Sequence, residues 1–402
     1  MNIDYPPEAE KYRGSVRSFL RAQLPDDWRG IGQLEGDAYA EFMAEWRKTL
    51  FDHRYLAPAW PVEYGGAGLS PVERIVLAEE FARAGVPAGT PNDEFGIDML
   101  GQTLLERGTP KQKDWFLPRI LSGEHVWCQG FSEPGAGSDL AAIRTRATFE
   151  DGRYILNGQK IWTSNGPTAN WIFVLARTDP DAPKHRGLSM LLLPIDQDGV
   201  ELRPITMMTG HSDFCETFFT NAVAEGGHVL GEVNDGWSVA MELLGHERGE
   251  TAVALPLRYQ RDLIRLIELA RDRGKLDDPD IRRRLAWCHT QVETMRWLGL
   301  RSVSRWLNDE PDGQQDSIFK LCWSKYHLAE GALAMDILGE EGLVTEGRPP
   351  VMPYYCDEPG APNSTASWQG SNMIALGGVI YAGTTEIQHN IIAERGLGMP
   401  RG

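Results

Sequence analysis

Thr145-Arg146-Ala147-Thr148-Phe149-Glu150-Asp151-Gly152-Arg153-Tyr154-Ile155-Leu156-Asn157-Gly158 places two short runs with strand-like alternation on either side of Glu150-Asp151-Gly152. That pattern predicts a β-hairpin turning at the Asp-Gly pair. Further strand-like runs follow at 170–178 (NWIFVLART), 187–195 (GLSMLLLPI) and 199–205 (GVELRPI). On either side of this region the apolar spacing is helical. Upstream it shows in Tyr39, Phe42, Met43 and Trp46, and again in Ile75, Val76, Ala78 and Phe81. Downstream it returns from about residue 237 and continues through the Trp297–Leu307 and Leu328–Leu338 stretches, whose apolar spacing beside charged faces calls for burial in a long antiparallel bundle. The chain therefore reads as α+β, with a helical domain over 1–124, a β domain over 125–236 and a second helical domain over 237–402. Residues 345–370, rich in Pro, Gly and Ser, read as an irregular excursion between two helices. There are no internal repeats.

With 402 residues the chain exceeds the usual size of one core and can bury a large cofactor. Forty basic against fifty-seven acidic residues give a net charge of -17. That balance argues against a nucleic-acid partner and does not favour an anionic membrane surface. The five cysteines (Cys128, Cys215, Cys288, Cys322, Cys356) form no CxxC pair and are odd in number, so neither a metal site nor a disulfide framework is expected, and a reducing compartment is. The N-terminal MNIDYPPEAEKYRGSVRSFL lacks the basic and apolar regions of a signal peptide, and no run approaches transmembrane length. The expected location is the cytoplasm.

Three stretches carry a family resemblance. Phe131-Ser132-Glu133-Pro134-Gly135-Ala136-Gly137-Ser138-Asp139, Asn157-Gly158-Gln159-Lys160-Ile161-Trp162-Thr163-Ser164-Asn165-Gly166 and Tyr381-Ala382-Gly383-Thr384-Thr385-Glu386-Ile387-Gln388 resemble signature segments of the acyl-CoA dehydrogenases. These flavoenzymes take two hydrogens from an acyl thioester. The resemblance covers nearly the whole chain and implies an N-terminal helical domain, a central β-barrel-like domain and a C-terminal four-helix bundle. It also implies FAD as cofactor and an electron-transferring flavoprotein as electron acceptor. By the same resemblance Phe131 and Ser132 would contact the flavin pyrimidine ring and N5 edge, and Ser138 the CoA moiety. Trp162 would pack against the isoalloxazine with Ser164 bonding its edge, and Thr384 and Glu386 would stay with the cofactor. A lone Trp among thirteen is more often core; the flanking NGQK and SNG decide for the flavin.

The α-proton of a thioester is weakly acidic and must leave to a positioned base. Many family members carry a glutamate where this chain has Ala382, which cannot serve. A branch that includes isovaleryl-CoA dehydrogenases places the base on a helix of the C-terminal bundle, and Glu247 stands at that position, followed by Arg248. The resemblance thus implies Glu247 as base, its pKa raised by an apolar pocket, with Glu250 the rival three residues on. Ala382 would lend its N–H to the thioester carbonyl, and Arg248 would hold the CoA side.

The chain departs from homotetrameric members in two motifs that bind a neighbouring subunit's FAD. Arg261-Asp262-Leu263-Ile264-Arg265 lacks the Phe-Gly that should follow, and Gly339-Glu340-Glu341-Gly342 puts two acids where a pyrophosphate would repel them. The expected assembly is thus either a homo-oligomer that holds its cofactor differently or a heterotetramer with a related subunit. Competing readings are a flavin monooxygenase or oxidase on the same fold, and a non-catalytic subunit of a hetero-oligomer. Asp93 and Glu94, near the expected acyl pocket, read as helix caps. By the same resemblance, the displaced base implies a bulky or branched acyl group.

Overall fold

The computed structural model describes residues 5–246, 251–308, 314–349 and 356–400. The chain divides into two compact units, one of Met1–Phe42, Leu69–Ala88 and Glu250–Gly402, the other of Met43–Gly68 and Gly89–Gly249. The helices in chain order are α1 (Pro7–Gln23), α2 (Gly36–Asp52), α3 (Pro71–Ala84), α4 (Gln102–Arg107), α5 (Pro110–Ser122), α6 (Gly236–His246), α7 (Thr251–Asp272), α8 (Pro279–Leu307), α9 (Gln315–Leu338), α10 (Thr365–Gly378) and α11 (Thr385–Ile391). The strands are β1 (Trp127–Gly130), β2 (Arg146–Glu150), β3 (Arg153–Ser164), β4 (Trp171–Arg177), β5 (Leu188–Pro194), β6 (Val200–Ile205), β7 (Phe214–Glu225) and β8 (Val229–Leu230).

In the second unit the strands make one sheet in the order β6-β7-β3-β2-β4-β5-β8, with β1 joined in parallel to β4. The predicted hairpin is present. Glu150 pairs with Arg153 across a turn whose two central residues, Asp151 (φ 48°) and Gly152 (φ 83°), are both left-handed, which matches the right-handed twist of the strands it joins. Strand β7 was not among the expected strands, although it pairs along both β3 and β6. Its inward row reads Cys215, Thr217, Phe219, and the polar Thr217 hides the alternation; inside the sheet its hydroxyl meets that of Thr163 at 2.9 Å. Helix α5 starts from a capping box, Thr109 with Gln112, followed by Pro110, and stops at left-handed Gly123.

In the first unit α7, α8, α9 and α10 pack as a bundle around Tyr259, Leu266, Met295, Tyr326, Leu333 and Trp368. Helix α10 begins inside the stretch expected to be irregular. Ser364 caps it, its hydroxyl accepting from the Ser367 N–H, and Trp368 anchors it in the core, so the irregular part ends earlier than the Pro/Gly/Ser content suggests. Helix α1 is tied to α3 by Arg13, buried between Glu79 (2.7 Å) and Glu80 (2.8 Å). All five cysteines are free thiols. Cys128 and Cys215 are buried in the sheet unit and Cys288 and Cys356 in the helical one, while Cys322 is half-buried. Among the described residues no helix is long and apolar enough to cross a membrane.

Candidate active site

Two of the predicted flavin-facing segments are bound directly to each other. Phe131, just after β1, is buried, and the Ser132 carbonyl accepts from the Ile161 N–H at 2.9 Å. Lys160, on β3, has no exposed surface; its ammonium donates to the Phe131 carbonyl and to Glu133 Oε1, each at 2.9 Å. Glu133 in turn accepts from the backbone N–H groups of Arg144 (2.6 Å) and Thr145 (2.8 Å). Burial lowers the Lys160 pKa to about 8, with Glu133 opposing the fall. Burial would raise the Glu133 carboxyl, but the Lys160 charge and the hydrogen bonds from Thr145 and Arg144 win and hold it below the usual range. Sequence reading assigned no role to this pair.

Between Lys160 and Thr163 the β3–β7 register slips, and there Trp162 sits at φ 60°, a conformation bulky side chains rarely adopt. The residue is 56 % exposed, with Phe214 edge-on to its ring at 6.1 Å. Ser164, two residues on, is half-buried opposite Phe214. Gly135 and Gly137 have ordinary backbone angles, and a Cβ on either would meet no atom within 4 Å. The chain itself therefore has no need of glycine there. A large uncovered ring held in a costly conformation, beside glycines with no internal reason, fits a planar aromatic cofactor lying against this face.

Ser138 is exposed, and its neighbour Asp139 is ion-paired with Lys184. Next in sequence to Lys184, a surface groove of about 510 Å³ is lined by His185, Arg186, Asn234, Asp235, Trp237 and Ser238 among others, with His185 edge-on to Trp237 at 4.8 Å. Sequence reading missed this groove because its walls come from two loops about fifty residues apart. Asp93 does not cap the following helix, as expected of it. It points backwards, accepting from the Thr90 N–H at 2.7 Å and pairing with Arg47 at 2.8 Å, ahead of a π-helical turn over Glu94–Gly101. Its charge is therefore spent within the fold.

In the first unit, Ala382 is left-handed (φ 52°), its carbonyl accepting from Gln388 Nε2 at 2.9 Å, and among the described residues no group accepts from its N–H. Thr384 caps α11, its hydroxyl accepting from the Ile387 N–H at 3.2 Å. Glu386 is exposed, and a backbone hydrogen bond to its own N–H, with the Thr384 hydroxyl, lowers its pKa. Glu247 and Arg248, with the rival Glu250, lie outside the described residues. Both arginines of the altered first motif are engaged internally. Arg261 donates to the Arg83 carbonyl, and Arg265 to the Ala361 carbonyl and, at 3.4 Å, to Asp357. Of the second region's acids Glu341 pairs with Arg273, and just upstream Asp336 pairs with Arg284.

Comparison with known proteins places these segments in context. Three family models match, described as the acyl-CoA dehydrogenase N-terminal domain (residues 6–124), middle domain (128–222) and C-terminal domain (234–397). The chain is 40 % identical to the acyl-CoA dehydrogenase IpdE1 of Mycolicibacterium smegmatis over 409 residues, 98 % of each chain. Among solved structures it is similar to the Tcur3481-Tcur3483 steroid ACAD (33 % identity, TM-score 0.81, all of both chains). It is also similar to a chain of the ChsE4-ChsE5 complex from Mycobacterium tuberculosis (29 % identity, TM-score 0.78, all of both chains).

Proposed function

The chain belongs to the acyl-CoA dehydrogenase family, an FAD-using group of oxidoreductases, and from that premise we propose the reaction, substrate class and assembly it serves. The reaction is α,β-dehydrogenation of an acyl-CoA thioester to the trans-2-enoyl-CoA, with the electrons passed to an electron-transferring flavoprotein. The observation that carries this reading is the bound pair of segments Phe131–Glu133 and Lys160–Trp162, with the Trp162 ring uncovered and its backbone left-handed.

Bound FAD would supply the acceptor for the β-hydride of the substrate. Glu247 takes the α-proton, and the Ala382 N–H donates to the thioester carbonyl, where negative charge develops as the proton leaves. The left-handed turn at Ala382 and its Gln388 tether present that N–H without an internal partner. Phe131, Ser132, Trp162 and Ser164 seat the flavin ring, and Thr384 and Glu386 attend the cofactor from the C-terminal segment. Ser138 and Arg248 bind CoA, and the groove beside Lys184, lined by His185 and Arg186 as well as Asp179 and Asp235, offers the Arg186 guanidinium to a polyanion in an otherwise acidic protein.

The acyl group is bulky and ring-bearing, a reading supported by the likeness to a steroid ACAD. A related second subunit completes the assembly. Support comes from Arg261 and Arg265, which are spent on their own chain, and from the paired names of both solved relatives. Anaerobic titration of the flavin-loaded protein tests the reaction. A steroid-derived acyl-CoA should bleach the flavin and yield the enoyl product, and Glu247→Gln should slow bleaching by about 10²- to 10⁴-fold, the usual worth of a general base. Undiminished bleaching in that variant would remove Glu247 from its role, and rapid oxygen uptake without enoyl product would point to an oxidase.

A further inference from the structure

Lys160 is an expensive residue to place inside a sheet. A fully buried ammonium needs a partner, and an apolar side chain of similar length would fill the same space without one. What the charge accomplishes is visible in its contacts. Two of its hydrogen bonds go to the Phe131 carbonyl and the Glu133 carboxylate, both at 2.9 Å. Glu133 then reaches the N–H groups of Arg144 and Thr145, at the far end of the same loop. The loop from 131 to 145 is thus clamped at both ends to one point of β3, two residues before Trp162.

That point matters because a tryptophan at φ 60° stays there only if its neighbours hold it. On one side the Ile161 N–H is fixed by the Ser132 carbonyl at 2.9 Å. On the other the Thr163 hydroxyl is fixed by Thr217 at 2.9 Å. The first of these restraints depends on residue 132 being where the Lys160 clamp puts it.

We propose that Lys160 and Glu133 are positioning residues for the flavin: their buried ion pair fixes the Phe131–Ser132 backbone against β3 and so keeps Trp162 left-handed, with its ring face presented to the isoalloxazine. The inference rests on the FAD reading and adds to it a pair that touches no flavin atom itself. A merely structural pair and a positioning pair differ in what an apolar replacement restores. The double change Glu133→Gln/Lys160→Met removes both charges together, so it avoids the stranded charge that either single change would leave.

The test uses the flavin-loaded full-length protein, with its partner subunit where one co-purifies. Three readouts are needed: FAD dissociation constant, visible circular dichroism of the bound flavin and thermal midpoint of the apo-protein. The expected result for the double variant is an apo midpoint close to that of the parent, an FAD constant at least tenfold weaker and an altered visible dichroism. A double variant that binds FAD as tightly as the parent with the parent's dichroism overturns the proposal. Should the double variant fail to fold, Glu133→Asp, which keeps both charges and shortens the reach to the Arg144 and Thr145 N–H groups, is read by the same FAD constant and visible dichroism, with weaker binding expected and unchanged binding overturning the proposal. A parent protein that holds no FAD would remove the cofactor reading and this proposal with it, whereas a parent that holds FAD and variants that bind it unchanged would remove only the role given to the pair.

Discussion

Single residues decide how tightly this chain can fold around its site. Gly101, at the end of the π-helical turn, lies against Trp60, which is fully buried and donates to the Ile97 carbonyl at 3.2 Å. A Cβ at 101 would sit 1.9 Å from the Trp60 ring. Gly101→Ala should therefore cost about 1–3 kcal/mol, read from the urea midpoint, because a buried indole cannot swing aside. The segments holding Phe131, Ser132, Ser138, Trp162 and Ser164 were legible because each is a short run whose residues sit together in sequence. The Lys160–Glu133 pair was not legible, since its partners stand 27 residues apart and neither residue is unusual alone. The left-handed backbone at Trp162 was equally hidden, for nothing in the sequence favours a bulky residue there.

At the level of elements, helix ends and strand pairings show where sequence patterns suffice. The Asp151-Gly152 hairpin was readable because a two-residue left-handed turn has a strict composition. The start of α10 was not, because Ser364 looks like one more loop residue until its hydroxyl is seen to accept from Ser367 and donate to the Arg348 carbonyl. Ser364→Ala should destabilise the helical unit by about 1 kcal/mol, measured by denaturant unfolding. A second expectation concerns α4 and α6. Partial desolvation raises the Glu106 pKa to about 7 although its side chain is half-exposed, and the Glu242 carboxylate adds to the rise. Folded Glu106 then keeps a proton that the unfolded chain releases near its ordinary value of 4.5. Stability from this group is complete below the unfolded pKa and is lost as pH rises through about 7. Glu242→Gln should flatten that slope in unfolding curves taken across the window, and an unchanged slope would rule the pair out as its source.

For the whole molecule, charge and burial set the working range. The helical unit buries Asp262, Glu330, Asp357 and Glu358. Desolvation is the leading cause of each raised pKa, taking Asp262 to about 7 and Asp357 to about 6. Folding therefore takes up protons, so the unit's stability should decline from about pH 4 to about pH 7, and Asp262→Asn should remove part of that decline in calorimetric scans. Assembly is tested by native mass and flavin content of the chain expressed alone. Low flavin content restored by a co-expressed related subunit is the expected outcome, and one flavin per chain in a tetramer of this chain alone would refute it. The three-part order of helices, strands and helices was plain in the sequence because period 3.6 and period 2 leave different marks. The internal use of Arg261 and Arg265 could not be read there, since their partners lie far along the chain.

The cysteines offer an experimental opening. Each of the two units carries a pair of enclosed thiols, and burial pushes the pKa of all four upward, that of Cys288 to about 12. A thiol-selective reagent needs thiolate and access, so labelling in the native state should begin with Cys322 and reach the others only when their surroundings open. Mass spectrometry of the labelled peptides over time would then act as two built-in clocks, Cys128 with Cys215 timing the breathing of the sheet and Cys288 with Cys356 that of the bundle, without a single engineered probe.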